Sequence, residues 1–101
     1  MKFLVSVAAI VWLSSALGAD LRIVEGPFDL GGYTLLTVAV TNSTSVIADM
    51  VQVQCAFLRK GALLSVGDGV AYDIAPWQST VVEISARNAQ GADSADCHVV
   101  Y

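Results

Sequence analysis

His98 and the carboxylates near it are the side chains of this chain whose types could support proton transfer. His98 is the only histidine, and Asp93 and Asp96 precede it by a few positions. An imidazole beside a carboxylate can move a proton near neutral pH, but catalysis also needs a nucleophile or a second base within hydrogen-bond reach. No motif near His98 supplies one. We therefore expect an ordinary surface histidine and predict that the protein is not an enzyme.

The other polar side chains form no metal or cofactor motif. Zinc sites gather several His or Cys ligands at short spacings, and calcium loops alternate Asp or Asn around one point. The aspartates are scattered instead, so we interpret them as solvated turn carboxylates and expect no metal and no cofactor; a weak structural ion is the alternative. They are Asp68, Asp73, Asp93 and Asp96. Asn42-Ser43-Thr44 matches the N-glycosylation sequon, and we interpret it as a turn.

Cys55 and Cys97, the only two cysteines, are the residues best suited to covalent chemistry. Their separation excludes a CxxC redox pair, and two cysteines of an exported chain usually pair in the oxidising compartment that they enter. Closing a loop of about 43 residues is worth roughly 4 kcal/mol on the chain-entropy model. We therefore predict a disulfide between Cys55 and Cys97 that staples a small domain.

Residues 1–19 have the pattern of a cleavable export leader. Lys2 is the charged start, Phe3–Leu13 is apolar except for one serine, and small residues follow. Cleavage after Gly18 or after Ala19 fits the small-residue pattern. The apolar run spans roughly 16 Å as a helix, short of the ~30 Å hydrocarbon core of a bilayer, so a retained transmembrane anchor is the weaker alternative.

The mature chain, residues 20–101, is acidic and has the length of a single small domain. The whole chain carries a net charge of −4, and loss of Lys2 with the leader makes it −5. So few cations, in no cluster, give no electrostatic footprint for a phosphate backbone, and we expect no nucleic-acid partner. We predict an exported domain, periplasmic or extracellular, with no membrane anchor after cleavage.

Alternation of apolar and polar residues, typical of half-buried β-strands, runs through the mature chain. Turn residues separate the alternating segments, among them Gly67-Asp68-Gly69, and no segment carries an amphipathic helical stripe. The predicted strands are Leu21–Glu25, Leu35–Thr41, Val51–Leu58, Ala62–Val66, Val70–Ile74, Val82–Ser85 and Cys97–Tyr101. About seven short strands at this spacing predict an all-β immunoglobulin-like sandwich, with an open small barrel as the alternative.

The same alternation turns both cysteines inward. Cys55 shares a face with Val53 and Phe57, and Cys97 shares a face with Val99. The predicted disulfide therefore joins the third strand to the last. The pattern leaves open whether these two strands lie in one sheet or in two.

Three segments of the mature chain show a strand that ends in Asn, a central strand that runs into a charged hairpin with Gly, and a turn with Pro. They are Thr37–Asn42, Val51–Gly61 and Ile74–Ser79. The pattern resembles the FxLYD-type bacterial domains over roughly residues 33–100. It departs from that family at Cys55, where Phe is expected, at Leu58-Arg59, which replace Tyr-Asp, and at Trp77, where Gly is usual. The resemblance implies an immunoglobulin-like fold on an exported protein, with no catalytic residues to carry over.

Trp77 and Tyr33 are the aromatic residues best suited to recognition. Trp77 lies in a predicted turn, where it either caps one end of the sandwich or stands exposed as a binding anchor. We expect a non-catalytic protein that acts by contact with another protein, and open strand edges offer such a partner strand addition. The alternative is a small-ligand-binding or inhibitory protein that uses the loops near Trp77 and Tyr33. The sequence does not specify the partner or the oligomeric state.

Overall fold

The structure, a computed structural model, describes residues 18–100. Within that range the chain forms six β-strands: β1 (Ala19–Asp29), β2 (Thr34–Asn42), β3 (Ala48–Arg59), β4 (Ala62–Ile74), β5 (Ser79–Ala86) and β6 (Ser94–Val99). The predicted leader lies outside the described residues except for Gly18 and Ala19. Tyr101, at the end of the last predicted strand, lies outside them too.

The six strands form two antiparallel sheets of three strands each. One sheet has the order β1-β2-β5 and the other the order β4-β3-β6. The sheets pack face to face without closing into a barrel, which confirms the predicted all-β sandwich. The two orders correspond to strands A-B-E and C′-C-F of an immunoglobulin sandwich.

The apolar side chains of the alternating segments form the core between the two sheets. Leu36, Val38 and Val40 of β2 are fully buried, as are Val53, Cys55 and Phe57 of β3, while the residues that alternate with them point to the outer face of each sheet. Burial of each such side chain stabilises the fold by about 1.5–3 kcal/mol. Each sheet therefore has one core face and one outer face.

One strand joins two segments that the sequence predicts to be separate strands. The predicted strands Ala62–Val66 and Val70–Ile74 are parts of the single strand β4, and Gly67-Asp68-Gly69 does not turn between them. The prediction of a turn is wrong: the two glycines lie inside the strand, where β5 packs too closely for larger side chains. They lie opposite Cys55 and Val53, on the inner face of the sheet.

Gly67 and Gly69 let the backbone of β4 approach β5. A Cβ atom on Gly67 would collide with the carbonyl oxygen of Ser85, and one on Gly69 would lie 2.6 Å from Cγ1 of Val82. Glycine is common in strands where another backbone comes this close. The two sheets therefore meet along the β4–β5 edge, and the number of strands in the described range is six rather than seven.

Cys55 and Cys97 form the predicted disulfide. They lie directly opposite each other on β3 and β6, so the bridge lies within one sheet. Val100 N donates to Gln52 O, and because hydrogen-bonded pairs alternate along an antiparallel ladder, the cysteines occupy a non-hydrogen-bonded pair, where opposite residues are closest. Their Cα atoms are 4.0 Å apart. The bridge therefore staples the short edge strand β6 to the central strand β3.

Cys97→Ser should lower the free energy of unfolding of the mature domain by about 2–5 kcal/mol, the usual cost of opening a native disulfide in a small exported domain. Chemical denaturation measures this loss. The double variant Cys55→Ala/Cys97→Ala is the control, since it removes the crosslink but keeps apolar side chains in the core. A double variant as stable as the wild type would show that packing alone holds β6.

Gly67→Ala should destabilise the domain by about 1–3 kcal/mol, because its methyl group has to displace the backbone of β5. Gly32→Ala is the matched control, since nothing lies within 4 Å of a Cβ atom at Gly32. Thermal unfolding of both variants tests the close approach of β4 and β5. Equal melting temperatures for the two variants would contradict it.

Candidate functional site

The two aromatic residues singled out for recognition lie at opposite ends of the sandwich. Strand pairing brings residues 42–50 together with residues 72–79, since Ala48 pairs with Ile74. We call this the Trp77 end. Residues 29–34, 59–62 and 86–93 form the opposite end, which we call the Tyr33 end.

Trp77 occupies a turn position that usually belongs to glycine. Gln78 N donates to Ala75 O at 3.1 Å, so Pro76 and Trp77 are the central residues of a β-turn. Trp77 has a φ of +63°, and a positive φ at the residue after the proline defines a type II turn, in which Gly or Asn is usual. The Trp77 side chain is 64% exposed. The turn therefore presents a large aromatic ring to solvent, with a backbone strain of about 1–2 kcal/mol.

The buried side chain of Asn42 fixes this turn and the loop beside it. Its Nδ2 donates to Val46 O at 2.8 Å and to Ile74 O at 2.9 Å. Its Oδ1 accepts from the backbone N–H and the hydroxyl of Thr44, and its backbone carbonyl accepts from Trp77 N at 2.8 Å. Asn42 is 1% exposed, so loss of these bonds would leave buried polar groups without partners. One residue thus links the end of β2, the loop that follows it, the end of β4 and the Trp77 turn.

These hydrogen bonds bear on the sequon Asn42-Ser43-Thr44. The side-chain nitrogen of Asn42 is the atom that would carry a glycan, and it already donates to two backbone carbonyls. A glycan at Asn42 would replace one of the two Nδ2 hydrogens, so at least one of these bonds would have to break. This geometry supports the interpretation of the sequon as part of a turn.

Large apolar side chains are exposed in the segments around Trp77. Met50 and Tyr72 lie directly opposite each other on β3 and β4, and Val46 and Ile47 project from the loop that Asn42 anchors; all four are at least half exposed. A cleft of about 190 Å³ opens beside this loop, with Val46, Ile47 and Met50 in its lining. The Trp77 end therefore offers an apolar surface with a concavity in it.

The two ends of the sandwich differ in charge. The cations within residues 18–100 are Arg22 on β1, Arg59 and Lys60 at the β3–β4 turn, and Arg87 after β5. None of these four lies in the segments of the Trp77 end, which carry the exposed carboxylates of Asp49 and Asp73. The Trp77 end is therefore acidic as well as apolar, whereas three of the four cations lie at the Tyr33 end.

Tyr33 borders a separate pocket. This open pocket of about 440 Å³ is lined by Gly32, Tyr33, Ser85, Ala86 and Arg87. Tyr33 directly precedes β2, and the backbone N–H of Trp77 donates a hydrogen bond to Asn42, the last residue of β2. The two aromatic rings are therefore attached at points separated by the length of that strand, about 27 Å at the usual rise per residue. One small ligand cannot contact both.

The structure does not gather His98 and the aspartates into one cluster. His98 and Asp96 lie on the outer face of β6, opposite Gln54 and Ala56, whereas the carboxylate of Asp93 accepts from Lys60 N at 3.1 Å at the Tyr33 end. Among residues 18–100, no group of three or more His, Cys, Asp or Glu could hold a metal ion. Asp96 Oδ1 is buried without a hydrogen-bond partner among these residues. This arrangement does not build an acid–base site around the histidine.

Comparisons with models of known protein families, with curated proteins and with solved structures found no match. The disulfide indicates that the protein folds in an oxidising, exported environment. Within residues 18–100, no helix is long and apolar enough to cross a membrane. What the protein does must therefore be inferred from the chemistry of its two ends.

Sequence reasoning missed most of the residues that build the Trp77 end. Val46 and Ile47 are adjacent apolar residues directly after a polar turn, a signal that could have marked them as exposed. The structural role of Asn42 has no comparable signal, because its partner Ile74 is 32 positions away. Only Trp77 itself could be selected from its residue type and its place after Pro76.

Asn42→Ala should lower the free energy of unfolding by about 1–3 kcal/mol, because the carbonyl of Ile74 loses its donor in a buried position. The same variant should speed amide hydrogen exchange in residues 43–47 and 75–78, which Asn42 holds together. Denaturation and hydrogen exchange measure the two effects. Ser45→Ala, an exposed change in the same loop, is the control, and an Asn42→Ala protein that matches it in both measurements would contradict the role of Asn42.

Proposed function

We propose that this is an exported, non-catalytic protein, periplasmic or extracellular, that works by contact with another protein through its Trp77 end. The observation that carries the proposal is the state of Trp77, an exposed indole held at positive φ. In an isolated domain neither feature is favourable, because glycine fits this turn without strain and an exposed ring adds little to the core. A partner that covers the ring accounts for both features, since strained backbone conformations cluster at binding sites.

The surroundings of Trp77 favour a protein over a small molecule as the partner. Tyr72, Met50, Ile47 and Val46 add exposed apolar area at the same end of the sandwich. Trp and Tyr dominate the energetics of protein interfaces when neighbouring contacts exclude water from them. The cleft beside Ile47 is small, at about 190 Å³, and suits one inserted side chain better than a whole ligand.

The charge of the Trp77 end specifies the chemistry of the partner. Asp49 and Asp73 lie at this end, and the cations of the described range lie elsewhere. A partner surface that combines apolar side chains with Lys or Arg is therefore complementary, and an acidic surface is repelled. The same charge disfavours docking on an anionic lipid surface, which attracts basic segments.

The strand edges favour contact through this end over strand addition. The carbonyl oxygens of Glu83 and Ser85 on β5 face Gly69 and Gly67 of β4, so these two edges cover each other there. β1 is interrupted by register shifts on both sides of Glu25 and carries Pro27, and β6 has six residues. Bulges, proline and short length are the features by which natural edges resist pairing with another strand.

The resemblance to the FxLYD-type domains supports the same proposal. It implies an immunoglobulin-like module on an exported bacterial protein, without catalytic residues. The departure at Trp77 is the informative one, because it replaces the glycine expected of that family with the residue on which the proposed contact depends. We propose that this chain is a divergent domain of that type whose turn has acquired a binding anchor.

A small ligand at the Tyr33 end is the second candidate function. The open pocket of about 440 Å³ there includes Arg87 in its lining, which suits a small anion with an aromatic or aliphatic part. Such a ligand should raise the melting temperature of the domain while leaving the fluorescence of Trp77 unchanged. Trp77 is the only tryptophan outside the leader, so its emission reports on the opposite end alone.

Trp77→Gly should separate binding from stability. Glycine relieves the positive-φ strain, so the free energy of unfolding should stay the same or rise by up to about 1 kcal/mol. Crosslinking of the exported protein through a photoreactive residue at Ile47 should identify one partner with a basic and apolar surface, and Trp77→Gly should reduce the crosslinked yield about tenfold, as expected for loss of an interface anchor worth about 1.4 kcal/mol or more.

Two controls make this experiment specific. Val81→Ala removes another apolar side chain of similar exposure, 62%, from the outer face of β5 and should leave the yield unchanged. Asp49→Lys/Asp73→Lys reverses the charge of the Trp77 end and should reduce the yield. A yield that is insensitive to Trp77→Gly, or crosslinks that form only from the Tyr33 end, would refute the proposed contact.

A further inference from the structure

The junction between the leader and the folded domain lies at Gly18 and Ala19. Two bonds near this junction fit the small-residue pattern of leader cleavage from sequence alone, the one after Gly18 and the one after Ala19. Both residues belong to the described part of the chain. Their places in the fold distinguish the two bonds.

Ala19 is part of the folded domain. It is the first residue of β1, pairs with Asn42 of β2 and is 3% exposed within the hydrophobic core. Cleavage after Ala19 would remove this buried side chain and shorten β1 at the point where it meets the Asn42 network. Cleavage after Gly18 leaves both intact.

Gly18 contributes much less to the domain. Its carbonyl oxygen accepts from Ser43 N at 3.0 Å, and Ser43 is only partly buried, so water can replace this acceptor. The residue is a glycine with a φ of +83° that precedes the first strand. Gly18 also gives a small residue at the last position of the leader, with Ala16 two places before it, whereas cleavage after Ala19 places Leu17 at that second position.

We propose that the leader is removed by hydrolysis of the Gly18–Ala19 peptide bond, so that the mature protein begins at Ala19. This inference rests on the proposed export of the protein. Water adds across the C–N bond: the carbonyl carbon of Gly18 gains the oxygen and becomes a carboxylate, and the nitrogen of Ala19 becomes an ammonium group. Atoms and charge balance without any other reactant.

The new ammonium group is compatible with the sheet. Because Ser43 N bonds the carbonyl of Gly18, residues 18 and 43 form a hydrogen-bonded pair, and the next pair, Ala19 with Asn42, is a non-hydrogen-bonded one. The nitrogen of Ala19 therefore points away from β2 and takes no part in the β1–β2 ladder. Its single positive charge arises at the Trp77 end, which stays acidic because Asp49 and Asp73 together carry two negative charges there.

Hydrolysis of this bond precedes the folding of β1. In the folded domain Gly18 O is bonded to Ser43 N and Ala19 is buried, so the bond cannot extend into the active site of a peptidase. Cleavage acts on the chain before β1 has folded, and Ala19 is then buried in the core, where it lines the cleft beside Ile47.

Intact-mass measurement of the exported protein from cells that express the full chain tests the proposal. The expected mass is that of a chain beginning at Ala19 with its disulfide formed. A start at Asp20 or at Leu17 would overturn the cleavage site but leave export intact. A protein that keeps Met1 and stays in the cell would instead contradict export.

Two variants sharpen the result. Gly18→Leu should abolish the Ala19 start, because the last leader position no longer holds a small residue, whereas Leu17→Phe, at the unrestricted position before it, should leave the Ala19 start unchanged. A protein that begins at Asp20, released from a fusion by a specific protease, should melt at a lower temperature than one that begins at Ala19. An unchanged Ala19 start in Gly18→Leu, or equal melting temperatures of the two chains, would overturn the inference.

Discussion

The buried amide of Asn42 is the interaction on which the Trp77 end depends. Its side chain binds the loop that leaves β2 and the carbonyl at the end of β4, so it ties one sheet to the other. Its backbone carbonyl receives the N–H of Trp77. Because the amide is buried, water cannot replace its hydrogen bonds, and the loop, the end of β4 and the Trp77 turn are held as one unit. The exposed apolar side chains therefore sit on a rigid support, although they belong to loops and strand ends.

Features elsewhere in the sandwich stabilise the fold without using the exposed side chains of the Trp77 end. The disulfide secures the short strand β6 from within its own sheet, and Gly67 and Gly69 let β4 cover the edge of β5. The Trp77 side chain adds little to the packing of the core, since its ring is exposed and its backbone is strained. The proposed partner, which would cover the ring, accounts for both features.

The sequence predicts the local features of this fold and misses those that depend on distant residues. Alternation along each strand is local, so the inward direction of Cys55 and Cys97 and the existence of their bridge could be predicted. Their common sheet could not, because it depends on the register of β6 against β3. Gly67-Asp68-Gly69 has the composition of a turn, and only the approach of Ser85 and Val82 shows why the glycines are there.

The candidate site likewise combines features that the local sequence predicts with features that depend on distant residues. The turn after Pro76 and the choice of Trp77 follow from residue types, but the positive φ of Trp77 and the burial of Asn42 result from bonds between segments more than 30 residues apart. From sequence alone Tyr33 and Trp77 are equal candidates for a recognition residue, yet Tyr33 lies at the other end of β2. Neither the acidity of one end nor the clustering of cations at the other can be seen before the strands are paired.

Oxidative footprinting of the protein in its exported compartment tests the central claim most directly. Hydroxyl radicals label exposed Trp and Tyr side chains, and Trp77 and Tyr33 are both exposed in the isolated domain, at 64% and 43%, so each ring serves as the reference for the other. The account predicts that Trp77 is protected in the native compartment relative to the purified protein, while the labelling of Tyr33 does not change. Equal labelling of Trp77 in both preparations, or protection of Tyr33 instead, would contradict it.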